Sequence, residues 1–149
     1  MPRDCNNAMF RRATRMLGQI YDDALVSSGL RATQHGLLAQ IDIMGEPAMR
    51  DLANEIVMDL SALSHTLKPL IRDGFIAVVP DKTDRRVKRV ALTKAGRRKL
   101  EQTTKLWLAA QRRFEKTFGE KRAADLRTVL DEISSEDIRT AYVAGRREG

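Results

Sequence analysis

The side chains of this sequence best suited to act on another molecule fall in two stretches. In the first, Ser61, Ala62, Ser64, His65, Thr66 and Lys68 fill the positions left between Leu60, Leu63, Leu67, Leu70 and Ile71. Hydroxyls and a neutral imidazole donate and accept hydrogen bonds, an ammonium donates, and a methyl offers apolar contact. Near the start of a helix, that set suits base edges and thymine methyls in a major groove. The second stretch, from Lys82 to Lys99, holds nine Lys or Arg residues against one acid, Asp84. The net charge of the 149-residue chain is +7, so this run alone carries the excess and the remainder is close to neutral. Basicity gathered in one segment is the electrostatic footprint a polyanion requires. Arg85 and Arg86 are expected to enter a narrow minor groove or pair with phosphates. Lys82, Lys88 and Arg89 are expected at phosphates, while Arg97, Arg98 and Lys99 extend the field.

Other chemistries find little support. Ser64 and His65 make no catalytic pair, because adjacent helical residues diverge. There is no Gly-x-Ser-x-Gly, Walker loop, His-Glu-x-x-His or Gly-rich dinucleotide fingerprint, so neither an enzyme nor a cofactor is expected. One cysteine and two widely spaced histidines argue against a structural zinc site and a disulfide. Hydrophobic residues at 42% and charged residues at 32% describe a foldable chain. No apolar run approaches the roughly 20 residues of a membrane span. The opening Met1–Cys5 lacks the apolar core of a signal peptide, and the expected location is the cytoplasm.

The elements that must hold these residues follow from periodicity. Met9, Ala13, Met16, Leu17, Ile20, Ala24 and Leu25 recur at helical spacing between Asn7 and Ser27. A second helix is predicted from Thr33, as N-cap, to Met44, and Gly45-Glu46-Pro47 ends it. A short helix, Met49–Ile56, is separated by Val57-Met58-Asp59 from another, Leu60–Arg72, with Asp59 as N-cap and Gly74 as terminator. Two short helices so tightly joined make a helix-turn-helix. Pro69 falls late in the second and is read as a bend with no binding role. The period then changes. Phe75–Val79, stopped by Pro80, and Val87–Leu92 read as strands around a charged turn. Thr93 caps a long helix to about Thr117, and after Gly119 a last helix carries Ala123, Leu126, Val129, Leu130 and Ile133, resuming through Ile138 and Tyr142 toward a basic tail.

The predicted fold is mainly α with a small β-hairpin wing, a winged helix-turn-helix flanked by long helices. One domain spans 1–149, with a DNA-binding lobe at about 30–96 and dimerisation helices at about 5–28 and 97–146. The flanking helices carry more apolar surface than so small a chain can cover, so a two-fold dimer is expected. Met49–Ala53, Asp59–Leu70, Arg72–Ile76, Asp84–Arg86 and Val90–Gly96 resemble the MarR family over its helix-turn-helix, wing and following helix. The resemblance implies a homodimeric, usually repressing protein that binds a palindromic operator in double-stranded DNA and often responds to a small ligand or oxidant. It also implies a pocket between the dimer helices and the lobe, to which Arg15, Met16, His35, Met44 and Trp107 could contribute. An anionic aromatic or acyl effector is the expectation. Some peroxide sensors of this family carry a cysteine near the start of the first helix. Here that position falls on Asn7, two residues after Cys5, whose nearest basic neighbour is Arg3. The tyrosines that support a sensor thiolate are replaced by Thr33-Gln34-His35. Redox control through Cys5 and a winged-helix interaction module with little base specificity are the alternatives.

Overall fold

A computed structural model describes residues 4–145, so Arg3 and the basic tail after Gly145 lie outside the described residues. The chain forms α1 (Asn6–Leu25), a 3-10 turn (Val26–Ser28), α2 (Ala32–Met44), α3 (Met49–Glu55), α4 (Leu60–Arg72), β1 (Ile76–Pro80), β2 (Lys88–Leu92), α5 (Lys94–Phe118), α6 (Glu120–Ser134) and α7 (Glu136–Gly145). Two compact units divide within α5, one ending at Ala110 and the other starting at Gln111. In the first, α1 belongs with the winged helix. In the second, Arg127 pairs with Glu115 at 2.8 Å and Phe114 stacks on Phe118.

The first unit is built on a leucine core. Leu30, Leu37, Leu38, Ile41, Leu52, Leu63, Leu67, Leu70, Ile76, Val90 and Leu92 form one buried cluster, with Met44, Met49, Ile56, Phe75 and Leu100 packed against it. Each fully buried leucine is worth roughly 2–5 kcal/mol against alanine. Leu60 and Ile71, expected inward, are 42% and 41% exposed. They flank the stripe that Leu63, Leu67 and Leu70 alone bury.

Caps set the helix boundaries. Asp59 Oδ1 accepts from Ala62 N at 2.7 Å, as expected. Thr33 does not cap α2, which starts one residue earlier. The Gln34 side chain accepts from Arg31 N at 2.9 Å, and Asp22 Oδ1 accepts from Ala32 N at 2.7 Å. Schellman closures end both α3 and α4. After α4, Gly74 N reaches Ile71 O and Phe75 N reaches Leu70 O, with Gly74 at φ 74°. After α3, Val57 N reaches Asn54 O and Met58 N reaches Ala53 O, but Val57 holds the left-handed position, at φ 55°. A β-branched residue is strained there.

The wing is an antiparallel pair in register Ile76–Leu92 to Pro80–Lys88. An Ala48–Arg89 bridge and a Val90 N bond to Pro47 O (2.9 Å) join it to the loop before α3. At its base, Phe75 O accepts from Thr93 N (3.0 Å) and the Thr93 hydroxyl caps Gly96 N. Arg97 bonds to Asp42 and Lys99 Nζ to Ser28 O. These two cations fasten α5 to the lobe in addition to contributing to its field.

Candidate nucleic-acid interface

The geometry of α4 separates its two faces cleanly. Leu63, Leu67 and Leu70 are fully buried, while Ser61, Ser64, His65 and Lys68 are exposed and Ala62 and Thr66 half-buried. The Asp59 cap fixes the first turn, which leaves Ser61 and Ser64 exposed at the N-terminal end of α4. The Thr66 hydroxyl donates back to Ala62 O at 2.8 Å, which leaves it an acceptor only.

The wing cations sort into free and engaged. Lys82, Arg85 and Lys88 are exposed and, among the described residues, make no ion pair. Arg86 is also exposed but chelates the Asp84 carboxylate at 3.1 and 3.3 Å, holding that carboxyl below its usual range. Arg89, expected at a phosphate, is half-buried and engaged within the protein. It donates through Nε to Asp81 and through Nη1 to Glu46 O at 3.0 Å. The Asp81 carboxyl is driven far below the usual carboxylate range, first by Arg89 and then by Thr83 and Asp84.

Between the wing and the first turns of α3 and α4 runs a groove of about 720 Å³, walled by Arg50, Asp51, Leu60, Ser64, Arg86 and Lys88. Sequence reasoning did not single out Arg50 as a site residue. It precedes the helix-turn-helix leucines, and the Ala48–Arg89 bridge and the Val90 N bond to Pro47 O set its helix beside the wing cations.

The residues expected to line an effector pocket separate. The His35 ring lies 5.9 Å from that of Trp107, tilted by 30°. His35 Nδ1 is 2.9 Å from Thr103 Oγ1, whose own contacts are Lys99 O and Leu100 O. The hydroxyl has one proton and gives it to its helix, so it accepts from Nδ1–H and leaves Nε2 an acceptor. Burial lowers the His35 pKa and favours this neutral ring. Met44 instead packs on the lobe core, and Arg15 and Met16 are exposed on α1. Cys5 is a free, exposed thiol immediately before α1.

Residues 30–88 match the family model described as MarR family. The transcriptional regulator MosR of M. tuberculosis, solved in complex with DNA, is 34% identical, with a TM-score of 0.72 over 87% of this chain and 98% of that one. The chain belongs to the MarR family. This MarR-family chain is also similar to CouR of Rhodococcus jostii RHA1, solved bound to p-coumaroyl-CoA, at 25% identity, 88% and 92% coverage and a TM-score of 0.74. The transcriptional activatory protein BadR of Rhodopseudomonas palustris is 28% identical over 137 residues, which are 90% of this chain and 66% of BadR. The chain thus spans just under two thirds of that curated relative. Family and architecture agree with the expected winged helix-turn-helix regulator. Among the described residues no helix is long and apolar enough to cross a membrane.

Proposed function

We propose that this protein is a homodimeric, sequence-specific repressor that leaves a palindromic operator when a small anionic aromatic or acyl effector binds. The observation that carries the reading is the split face of α4: three leucines fully buried, and Ser61, Ser64, His65 and Lys68 exposed beside free wing cations. Ser64 and His65 read bases, Lys68 reaches a phosphate or a guanine edge, and Arg85, Lys82 and Lys88 hold phosphates. The structure of MosR solved in complex with DNA supports the DNA-binding reading.

Exposed apolar residues support the dimer. Met9, Phe10, Met16 and Ile20 are exposed on α1, Val129 and Ile133 on α6, and Ile138, Tyr142 and Val143 on α7. A second copy would cover such surface by two-fold symmetry and set two recognition helices roughly 34 Å apart. The p-coumaroyl-CoA on CouR supports an acyl or aromatic effector, and the His35–Trp107 pair, with Nε2 an open acceptor, is where such a molecule would be read. The effector acts by favouring a dimer whose recognition helices are wrongly spaced.

The test is selection of bound genomic fragments by the purified protein, followed by titration of the selected sequence with aromatic carboxylates and acyl-CoA thioesters. A palindrome bound by a sedimenting dimer and released by one of these compounds is expected. A folded monomer at micromolar concentration would refute the dimer, and recovery of unrelated fragments would refute specificity. A promoter reporter decides repression against the activation named for BadR.

A further inference from the structure

We infer that Arg89, with Asp81, is a positioning residue for DNA binding: its guanidinium fastens the wing loop to the linker before the helix-turn-helix. The inference rests on the DNA-binding reading and deepens it by dividing the wing cations into contacts and a brace. The two ends of the brace lie in segments far apart in sequence. Asp81 organises the loop through one carboxylate oxygen, which accepts from Thr83 N (2.8 Å), Thr83 Oγ1 (2.7 Å) and Asp84 N (3.1 Å). Its other oxygen takes Arg89 Nε. On the far side, Arg89 Nη1 donates to the carbonyl of Glu46 at 3.0 Å, in the loop that ends α2, where Glu46 itself sits at φ 59°.

One planar cation thus satisfies a carboxylate and a backbone carbonyl that no covalent path holds together. The backbone repeats the connection, since Arg89 bridges Ala48 and Val90 N bonds to Pro47 O at 2.9 Å. The Asp81 side chain is only 12% exposed, so its ion pair is shielded from salt more than the exposed Arg86–Asp84 pair is. The groove that separates the wing from α4 has Arg89 in its wall. Its width therefore depends on where this brace holds the loop.

A brace and a phosphate contact make opposite predictions for Asp81. Asp81→Asn is isosteric and removes a negative charge next to the DNA-facing surface. If charge alone mattered, every DNA would bind tighter. In a brace, the amide introduced by Asp81→Asn turns its NH2 either toward Arg89 Nε or toward the Thr83 and Asp84 donors, and either way the loop loses part of its anchor. The expectation is that Asp81→Asn and Arg89→Gln each weaken binding to the selected operator about tenfold, and that the double variant loses no more than either alone. The slope of log affinity against log salt stays at the wild-type value, because no phosphate contact is lost. Arg89→Lys, which can reach one acceptor but not both, falls between. Amide hydrogen exchange at Thr83, Asp84 and Val87 rises in both single variants without DNA, while melting temperatures show that the core remains folded. Tighter binding by Asp81→Asn, with a slope reduced by about one in Arg89→Gln, would make Arg89 a phosphate contact and overturn the inference. Unchanged loop exchange would overturn it independently of any DNA. A wild-type protein that selects no fragment would instead refute the DNA-binding reading, a result distinct from either.

Discussion

Among the described glycines Gly96 is the most closely enclosed, and substituting it tests whether the wing's base is as rigid as its contacts imply. A Cβ built there would stand 1.9 Å from Phe75 O and 2.9 Å from Phe75 C. Ordinary contact begins at 3.4 Å, so the Phe75 backbone just before β1 and α5 must part by about 1.5 Å, and the obstacle is backbone, which cannot swing aside as a side chain would. The same carbonyl accepts from Thr93 N at 3.0 Å, while the Thr93 hydroxyl gives its one proton to Gly74 O next door at 2.6 Å. Losing the Thr93 N bond costs roughly 1 kcal/mol, and overpacking adds about 1–3 kcal/mol. Gly96→Ala should therefore destabilise by roughly 2–4 kcal/mol. At about 2–4 °C per kcal/mol for a chain of this size, melting falls by roughly 5–15 °C. Scans at one protein concentration are required, because the proposed dimer would make melting concentration-dependent. Gly36→Ala is the matched control. It lies exposed in α2 with nothing within 4 Å of its Cβ and should gain roughly 0.4–1 kcal/mol. Because the Phe75–Thr93 joint also sets the root of the wing, Gly96→Ala should weaken operator binding at temperatures where it is folded. A Gly96→Ala protein that melts within about 2 °C of wild type, a margin of roughly 1 kcal/mol or less, would refute the reasoning.

Further outcomes are expected elsewhere. Arg85→Ala should weaken operator and random DNA together and lower the salt slope by about one, whereas Ser64→Ala and His65→Ala should cost about 1–3 kcal/mol on operator only; titrations of both DNAs at several salt concentrations decide, and full discrimination by the helix variants would reverse the roles. His35 has a folded-state pKa below its unfolded value of about 6.5, so the unfolded chain binds the extra proton and stability falls as pH drops below about 6.5 toward the folded pKa. Denaturant melts between about pH 5 and 7.5 should show a component of at most about 1.4 kcal/mol per pH unit that His35→Gln lacks, and an identical pH profile for the variant would count against it. Val57→Gly removes a side chain from a left-handed position that is 72% exposed and should stabilise by roughly 0.5–1 kcal/mol after the added unfolded-state entropy, without touching DNA affinity; a lower melting temperature would show that Val57 is not strained.

The sequence alone determined the elements and one face of the site. Leucines at 63, 67 and 70 can be buried together only on a helix, so the exposure of Ser61, Ser64, His65 and Lys68 followed from spacing. Local chemistry also settled the Asp59 and Thr93 caps, because a cap needs only its own next three residues. The α2 cap was missed for the opposite reason: Asp22, ten residues away, closes it, and no local pattern marks that partner. Leu60 and Ile71 misled in the same way, since hydrophobicity says that a residue prefers burial and not whether a neighbour is there to bury it. Charge composition located the wing, and position along it sorted its cations, but neither showed which of them the protein itself engages. Which of them is free depends on Asp84 lying within reach of Arg86, and on the sheet register that brings Asp81 and the Glu46 carbonyl to Arg89. Tertiary structure alone could decide that, because an ion pair is a matter of a few ångströms between segments that the chain separates by up to 43 residues.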